Sequence, residues 1–312
     1  PYKKQNWGIW LHHMSQYVGK MKPAMAYFLI NACTKKNERV FDPFCGVGTV
    51  PLEAELSGRQ GYGCELNPYA YTISAAKLCS SNYTNLLKYL DAISIETKGV
   101  SIQKYSKFCK KFYHPKTLRE ISFLMDKLKK DKQYFLIGCL LGIIHGHRPG
   151  HLSAVTSLVI PFLPREKPVY KEVIPRLKAK CKRMFYNDFP KKFKGKIFYE
   201  NAKKLKLTIN TIDAIISSPP YYSTLDYVAD NRLRLELLGY NESSRKGIKE
   251  SLTTTYSSYI EDMREIGVNI RCSLKPKKFC IFVLGDHYSG KKVSNTAEEI
   301  GNIYSDIGFK TI

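Results

Sequence analysis

Residues 40–65 contain, in order, a buried strand, a glycine loop, a helix and a second strand that ends at Glu65. The helix is expected over residues 50–57. In the loop, Gly46 and Gly48 lack the side chains that would keep a ligand away from the backbone. Strand, loop and helix in this order place a ligand at the carboxyl end of a parallel strand. The stretch therefore predicts an α/β fold with a binding site at the carboxyl edge of its sheet.

The glycine loop lacks the patterns of the commonest nucleotide sites. It has no third glycine placed as in G-x-G-x-x-G and no Gly-Lys-Ser/Thr, so it indicates neither a dinucleotide nor a nucleoside triphosphate. Glu65 follows the loop by about 20 residues, where an acid can bind ribose hydroxyls. A surface carboxylate after a strand is the alternative interpretation of Glu65.

A second informative stretch is residues 213–222, where an apolar run ends in Ser-Ser-Pro-Pro-Tyr-Tyr. Proline has no N–H, so the strand must end at this point. The Ser218 hydroxyl and the Pro219 carbonyl can accept hydrogen bonds from an exocyclic amine, while the Tyr221 ring can stack on a planar base. A plain turn after a strand is the alternative interpretation.

The composition indicates a nucleic-acid partner. The net charge is +23, and residues 101–200 contain 23 basic and 7 acidic side chains. A basic excess concentrated in one segment favours a polyanion over a merely solvated surface. The nine cysteines form no C-x-x-C pair and predict reduced thiols of an intracellular protein. No apolar run reaches about 18 residues and the sequence does not open with a basic-then-apolar leader, so neither a membrane span nor secretion is expected.

Residues 91–196 differ in character from the flanking chain and predict a helical, basic insertion. Helices are expected from Pro115, over Tyr134–Ile144 and over Lys171–Arg183. The histidines at 145–151 are separated by two glycines and a proline and have no cysteine nearby, so no metal site is predicted. A loop that contacts phosphate or acts as a hinge is favoured instead, with His147 and Arg148 as candidate contacts.

The remaining chain returns to the α/β pattern. Arg232 and Arg234 are expected beside the cleft, where they bind phosphates or form structural ion pairs. The other expected elements are a strand at 196–202, a helix at 231–239, a surface loop at 241–255, a helix at 256–274, a strand at 278–284 and a strand at 309–312.

Together these motifs resemble the amino-group DNA methyltransferases that use S-adenosylmethionine. The resemblance rests on Asp42-Pro-Phe-Cys-Gly-Val-Gly-Thr49, on Glu65-Leu-Asn-Pro68, on Lys22-Pro23 upstream and on Ser218-Pro-Pro-Tyr221 downstream. The last motif begins with serine and not with aspartate or asparagine. In this respect it is similar to the motif of the N4-cytosine members. The resemblance covers about residues 1–90 and 195–290.

The resemblance implies a Rossmann-like three-layer α/β/α sheet, with residues 1–90 and 197–312 as the catalytic domain and 91–196 as a target-recognition insertion. It implies Ser218, Pro219, Pro220 and Tyr221 as the catalytic motif. The implied S-adenosylmethionine contacts are Tyr17, Lys22, Pro23, Asp42, Pro43, Phe44, Cys45, Gly46, Gly48, Thr49, Glu65, Leu66, Asn67, Asn201, Ala202 and Ser218. Asn201 stands where the family commonly has an aspartate. The candidate nucleic-acid contacts are Tyr222, Arg232, Arg234, His147 and Arg148.

The expected partner is double-stranded DNA with one base flipped out, because a duplex hides the amine. A cognate restriction endonuclease and a cytoplasmic, nucleoid-associated location for a prokaryotic or phage protein are further expectations from the resemblance. Adenine N6 methylation, RNA base methylation and a catalytically silent nucleic-acid-binding subunit are the alternatives.

Overall fold

The computed structural model describes residues 2, 7–155, 163–164, 166–190, 192–220, 226–250, 255–289 and 292–312. The strands are β1 (Arg39–Asp42), β2 (Gln60–Glu65), β3 (Lys196–Tyr199), β4 (Ile212–Ser217), β5 (Leu274–Phe282), β6 (His287–Ser289) and β7 (Lys292–Ser294). The α-helices are α1 (Pro23–Cys33), α2 (Thr49–Leu56), α3 (Pro68–Lys77), α4 (Tyr83–Asp91), α5 (Lys107–Lys110), α6 (Pro115–Lys130), α7 (Tyr134–Ile144), α8 (Val173–Met184), α9 (Tyr227–Asp230), α10 (Arg232–Leu237), α11 (Glu242–Glu250), α12 (Tyr256–Ser273) and α13 (Thr296–Asp306). A short 3-10 helix, Trp10–His13, precedes α1.

Strands β1 to β5 form one sheet in the order β3-β2-β1-β4-β5, and every neighbouring pair is parallel. In register, Val40 of β1 lies opposite Gly61 of β2 and Ala214 of β4. The carboxyl ends of β1 and β4 are therefore adjacent, which brings the two stretches that follow them to one edge of the sheet. Strands β6 and β7 form a separate antiparallel pair.

Alternate residues of the strands face two different helical layers. On one face, Val40 and Ala214 pack with Ile30 of α1 and Val50 of α2. On the other face, Phe41 and Ile215 belong to a core that includes Met263 and Ile266 of α12 and Tyr304 of α13. A parallel sheet covered on both faces is the three-layer arrangement that the sequence predicts.

The helical segment between α4 and β3 shares its core with the sheet's own helices. Ile73 of α3 lies in the same buried cluster as Leu140 of α7, Leu177 of α8 and Leu118 of α6. Leu235 of α10 joins this cluster from the chain that follows β4. The segment thus extends the core of the sheet domain and leads directly into β3, which pairs with β2.

Two local predictions are wrong. The expected loop at 241–255 contains α11, because Asn241 Oδ1 accepts a hydrogen bond from the Ser244 N–H and caps a helix of polar composition. The expected strand at 309–312 is irregular: the Phe309 N–H bonds to Tyr304 O, and the Phe309 ring packs 5.2 Å from the Tyr304 ring. The chain here folds back on α13 and does not extend the sheet.

Among the helices that the structure describes, none combines the length and apolar character that a membrane span needs.

Candidate active site

A cavity of about 230 Å³ opens at the carboxyl edge of the sheet. Holding one water takes roughly 10–15 Å³, so the cavity can accommodate an organic ligand. The lining includes thirteen of the predicted cofactor contacts: Tyr17, Asp42, Pro43, Phe44, Cys45, Gly46, Thr49, Glu65, Leu66, Asn67, Asn201, Ala202 and Ser218.

The loop between β1 and α2 is fixed by contacts with α3. Gly48 has a φ of 74°, and a Cβ on it would lie 2.7 Å from Ser74 Cβ. The fully buried Lys77 Nζ donates a hydrogen bond to Val47 O at 2.6 Å. Gly46, with φ of 51°, faces the Tyr17 ring. Gly48 therefore lets the loop pack closely on α3, and Gly46 places the loop backbone at the cavity beside Tyr17.

Asp42 connects the ends of β1 and β4. Its Oδ1 accepts hydrogen bonds from Ser217 Oγ at 2.5 Å and from the Phe44 N–H at 3.0 Å. Burial raises the pKa of Asp42 to about 7, although these two hydrogen bonds oppose the shift. The carboxyl is consequently poised to ionise when a cation occupies the cavity.

Glu65 provides a second carboxyl at the end of β2. Its Oε1 accepts a hydrogen bond from the Asn67 N–H at 2.7 Å, and burial raises its pKa to about 7. Asn67 caps α3 through Oδ1, which accepts from the Tyr69 N–H at 3.0 Å. The Asn67 side chain is buried, and its Nδ2 has no partner among the described residues. Because Asn67 lines the cavity, this donor suits a ligand that presents an oxygen or nitrogen acceptor.

The predicted catalytic motif begins directly after β4. The Val283 N–H donates to Ser217 O at 2.9 Å, and Ser218 Oγ donates to Val283 O at 3.2 Å. Ser218 and Pro220 line the cavity, and Pro219 is buried. Tyr221, from this motif, and Tyr222, a predicted nucleic-acid contact, lie outside the described residues.

Several lining residues were not predicted from the sequence. Tyr227 stacks on Tyr17 with ring centroids 5.5 Å apart, and burial raises the pKa of the Tyr17 hydroxyl. Lys20 is different, because the sequence leaves it free to line a pocket just before α1; it does line the cavity, and it donates to His12 O at 3.0 Å. Helix α12 contributes a further wall of the cavity through four residues: Tyr259, Asp262, Met263 and Ile266. Their helical spacing is the signal that could have identified one common face.

Three predicted cofactor contacts lie outside the cavity lining. Lys22 is exposed at the N-cap of α1, and Pro23 is buried at the first position of that helix. Gly48 faces Ser74 instead of the cavity. Gly48 supports the loop by allowing close packing, whereas Lys22 and Pro23 fix the start of α1.

The predicted nucleic-acid contacts fall into two groups. His147 and Arg148 are exposed in the loop after α7. Arg232 is half-buried and lies over the Phe108 ring at 3.6 Å. Arg234 is only 1% exposed, lies over the Tyr69 ring and donates to His145 O at 2.9 Å. The assignment of Arg234 to phosphate binding is therefore wrong, because its guanidinium is enclosed by the protein core.

The buried His145 ring bonds through Nδ1 to Ser153 Oγ at 3.0 Å. In the part of the chain that the structure describes, no three His, Cys, Asp or Glu side chains form a group that could hold a metal ion.

The first quarter of the chain matches a known family. Residues 3–76 match the family model N6_N4_Mtase, described as DNA methylase. This match supports an amino-group DNA methyltransferase. The matched range contains Tyr17, the glycine loop and Glu65, and it ends before the Ser218 motif. The name of the model covers both N6 and N4 enzymes, so the match does not distinguish adenine from cytosine as the modified base. A search of curated proteins found no match to the chain.

Proposed function

We propose that this protein transfers a methyl group from S-adenosylmethionine to the exocyclic N4 amine of a cytosine flipped out of DNA. One observation supports the proposal above all others. The glycine loop after β1 and the Ser-Pro-Pro motif after β4 border a single cavity, because β1 and β4 are neighbours in a parallel sheet. A methyl donor in the loop and an amine at Ser218 would therefore share one enclosure.

The cavity residues fit S-adenosylmethionine, which supplies an electrophilic methyl group on a sulfonium when bound. Asp42 and Glu65 are two carboxyls whose ionised forms a cationic ligand would favour. Glu65 has the position and chemistry to accept from ribose hydroxyls, and Asn67 Nδ2 supplies a buried donor. Gly46 leaves the loop backbone accessible.

At the other end of the cavity, Ser218 and Pro219 would orient the target amine. The Ser218 hydroxyl donates its hydrogen to Val283 O, and a hydroxyl that donates can also accept from a donor such as a base N–H. Two acceptors on one amine favour the tetrahedral nitrogen whose lone pair is available for attack. Burial raises the pKa of the Cys45 thiol, so this thiol stays protonated, consistent with direct transfer without a cysteine adduct.

DNA is the proposed substrate because of the charge distribution as well as the family match. The excess of basic side chains in residues 101–200 offers phosphate contacts, including the exposed Arg148. Tyr221 is the proposed stacking partner of the extruded base on the strength of the sequence motif. A cognate endonuclease stays an expectation from the resemblance.

The test is mass spectrometry of nucleosides from DNA incubated with the protein and isotope-labelled S-adenosylmethionine. We expect label in N4-methylcytosine, and a rate of labelling lower by about a hundredfold or more with a Ser218→Ala variant. Label in N6-methyladenine would overturn the choice of base and keep the reaction class. Label only in RNA supplied in parallel would overturn the DNA assignment. Binding of DNA without binding of S-adenosylmethionine would identify a silent binding subunit.

A further inference from the structure

The strand ends line only part of the cavity, and helix α12 forms a further wall. Residues 200–211, all of which are described, connect β3 to β4 without a helix. Helix α12 lies over this part of the sheet, and Asn269 Nδ2 donates to Lys203 O from its last turns. Tyr259, Asp262 and Met263 thereby face the residues that follow β3.

The space between α12 and the strand ends has apolar walls. Phe44 and Ala202 pack against the buried cluster that contains Met263 and Ile266, and all four residues also line the cavity. Apolar walls with polar groups at one edge suit a planar heteroaromatic ring. On the proposed function, from which this inference proceeds, the ring is the adenine of the methyl donor.

Asn201 provides one polar edge of this space. Its Oδ1 accepts a hydrogen bond from the Lys203 N–H at 2.9 Å, which fixes the amide in a tight turn. With one Oδ1 lone pair engaged in this turn, the NH₂ group remains as a donor for a ligand. A donor matches the ring nitrogens of adenine and does not match the exocyclic amine, which needs an acceptor.

Asp262 provides the acceptor from the opposite wall. Its Oδ1 accepts from Lys203 Nζ at 2.7 Å, which fixes the carboxylate beside the chain that follows β3. A carboxylate has about four acceptor positions, so it can bind Lys203 and a base amine together. We propose that Asp262 accepts a hydrogen bond from the adenine amine and, with Asn201, selects a 6-aminopurine over a 6-oxopurine.

Calorimetric titration with S-adenosylhomocysteine and S-inosylhomocysteine tests the proposal. The inosine analogue carries an oxygen in place of the amine, and that oxygen would face the Asp262 carboxylate. We expect the wild type to bind the adenosine ligand at least about tenfold more tightly. In Asp262→Asn, whose amide can also donate, this ratio should fall by about tenfold or more. An unchanged ratio in Asp262→Asn would overturn the proposal.

Two variants separate the amine contact from the ion pair. Glu265→Gln makes the same change of charge near Lys203, since Glu265 Oε2 is 4.0 Å from Lys203 Nζ, but Glu265 is 59% exposed and does not line the cavity. It should keep the wild-type ratio. Lys203→Met should also keep the preference for adenine, because Asp262 remains.

Loss of the preference in either control would show that local charge or the ion pair is responsible, and would overturn the proposal. The proposed function fails in a different way. If the wild type binds neither ligand, the cavity is not a site for this methyl donor; if it binds both equally, only the role of Asp262 is overturned.

Discussion

At the scale of single residues, the site depends on a few polar groups held by the ends of neighbouring strands. Ser218 has its hydroxyl oriented by Val283 O, and Asp42 is held by Ser217 and by the loop backbone. Ser218 would act on the target amine, whereas Asp42 and Glu65 would act on the methyl donor. The two roles can therefore be separated by measuring binding and turnover independently.

Ser218→Ala removes one of the two proposed acceptors for the target amine. We expect kcat to fall by about a hundredfold or more, as for loss of one transition-state hydrogen-bonding group. The affinity for S-adenosylmethionine should stay within about twofold, because Asp42 and Glu65 are unchanged. Labelled-methyl turnover and calorimetry measure the two quantities. Ser80→Ala, an exposed serine elsewhere, is the control, and equal kcat in both variants would refute the role of Ser218.

The pH dependence of cofactor binding follows from the raised pKa values of Asp42 and Glu65, both about 7. Below pH 7 these carboxyls are mostly protonated in the free protein, and a cationic ligand must displace those protons. Affinity for S-adenosylmethionine should therefore rise from about pH 5.5 to about pH 7.5, by up to about tenfold per pH unit for each group. Calorimetry in buffers of different ionisation enthalpy would detect the proton release. Asp42→Asn should make the profile less steep and leave the contribution of Glu65; a flat wild-type profile would exclude this coupling.

At the scale of elements, the glycine loop keeps its shape because it packs against α3. Gly48→Ala places a methyl group 2.7 Å from Ser74 Cβ at a φ of 74°. We expect the free energy of unfolding to fall by about 1–3 kcal/mol and S-adenosylmethionine affinity to fall at least about tenfold, because the loop must shift. Chemical denaturation and calorimetry measure these effects.

The chain contains a matched glycine for comparison with Gly48. Gly247 lies in α11, and a Cβ added there would meet nothing within 4 Å. Gly247→Ala should leave cofactor affinity unchanged and stabilise the protein by up to about 1 kcal/mol, since alanine is the better helix former. A loss of affinity in this variant equal to that of Gly48→Ala would refute the packing argument.

How much of this was predictable from the sequence differs by element. Helix α7 begins and ends at the predicted residues Tyr134 and Ile144. Its residues are apolar on all sides of the helix, and such a helix is buried in the core. The loop after β1 was predictable because Gly46 and Gly48 allow the positive φ that the turn needs and Pro43 ends the strand. The wall from α12 was not, since its cavity face depends on the helix-free connection between β3 and β4. Arg234 was misassigned because a core that encloses an arginine is a long-range property.

At the scale of the whole molecule, one buried cluster joins the helices of residues 107–184 to α3 and α10. Arg234 lies within this junction and links α10 to the end of α7 through His145 O. Arg148 lies three residues beyond His145 and is exposed. Both arginines were predicted to bind DNA, but one is exposed and the other is buried. Their substitutions should therefore affect different quantities, DNA affinity for Arg148 and the stability of the fold for Arg234.

Arg148→Ala should weaken DNA binding to a similar extent for all sequences and reduce the slope of log affinity against log salt by about one, as expected for the loss of one phosphate contact. Its melting temperature should be unchanged. Arg234→Ala should lower the free energy of unfolding by about 3 kcal/mol or more, because it removes a buried cation that stacks on Tyr69 and bonds to His145 O. Fluorescence anisotropy across a salt series and thermal denaturation measure the two effects. The contrary outcome is that Arg234→Ala has the melting temperature of the wild type and the smaller salt slope. That result would show that Arg234 binds a phosphate, and the helices around it would then have to separate when DNA binds.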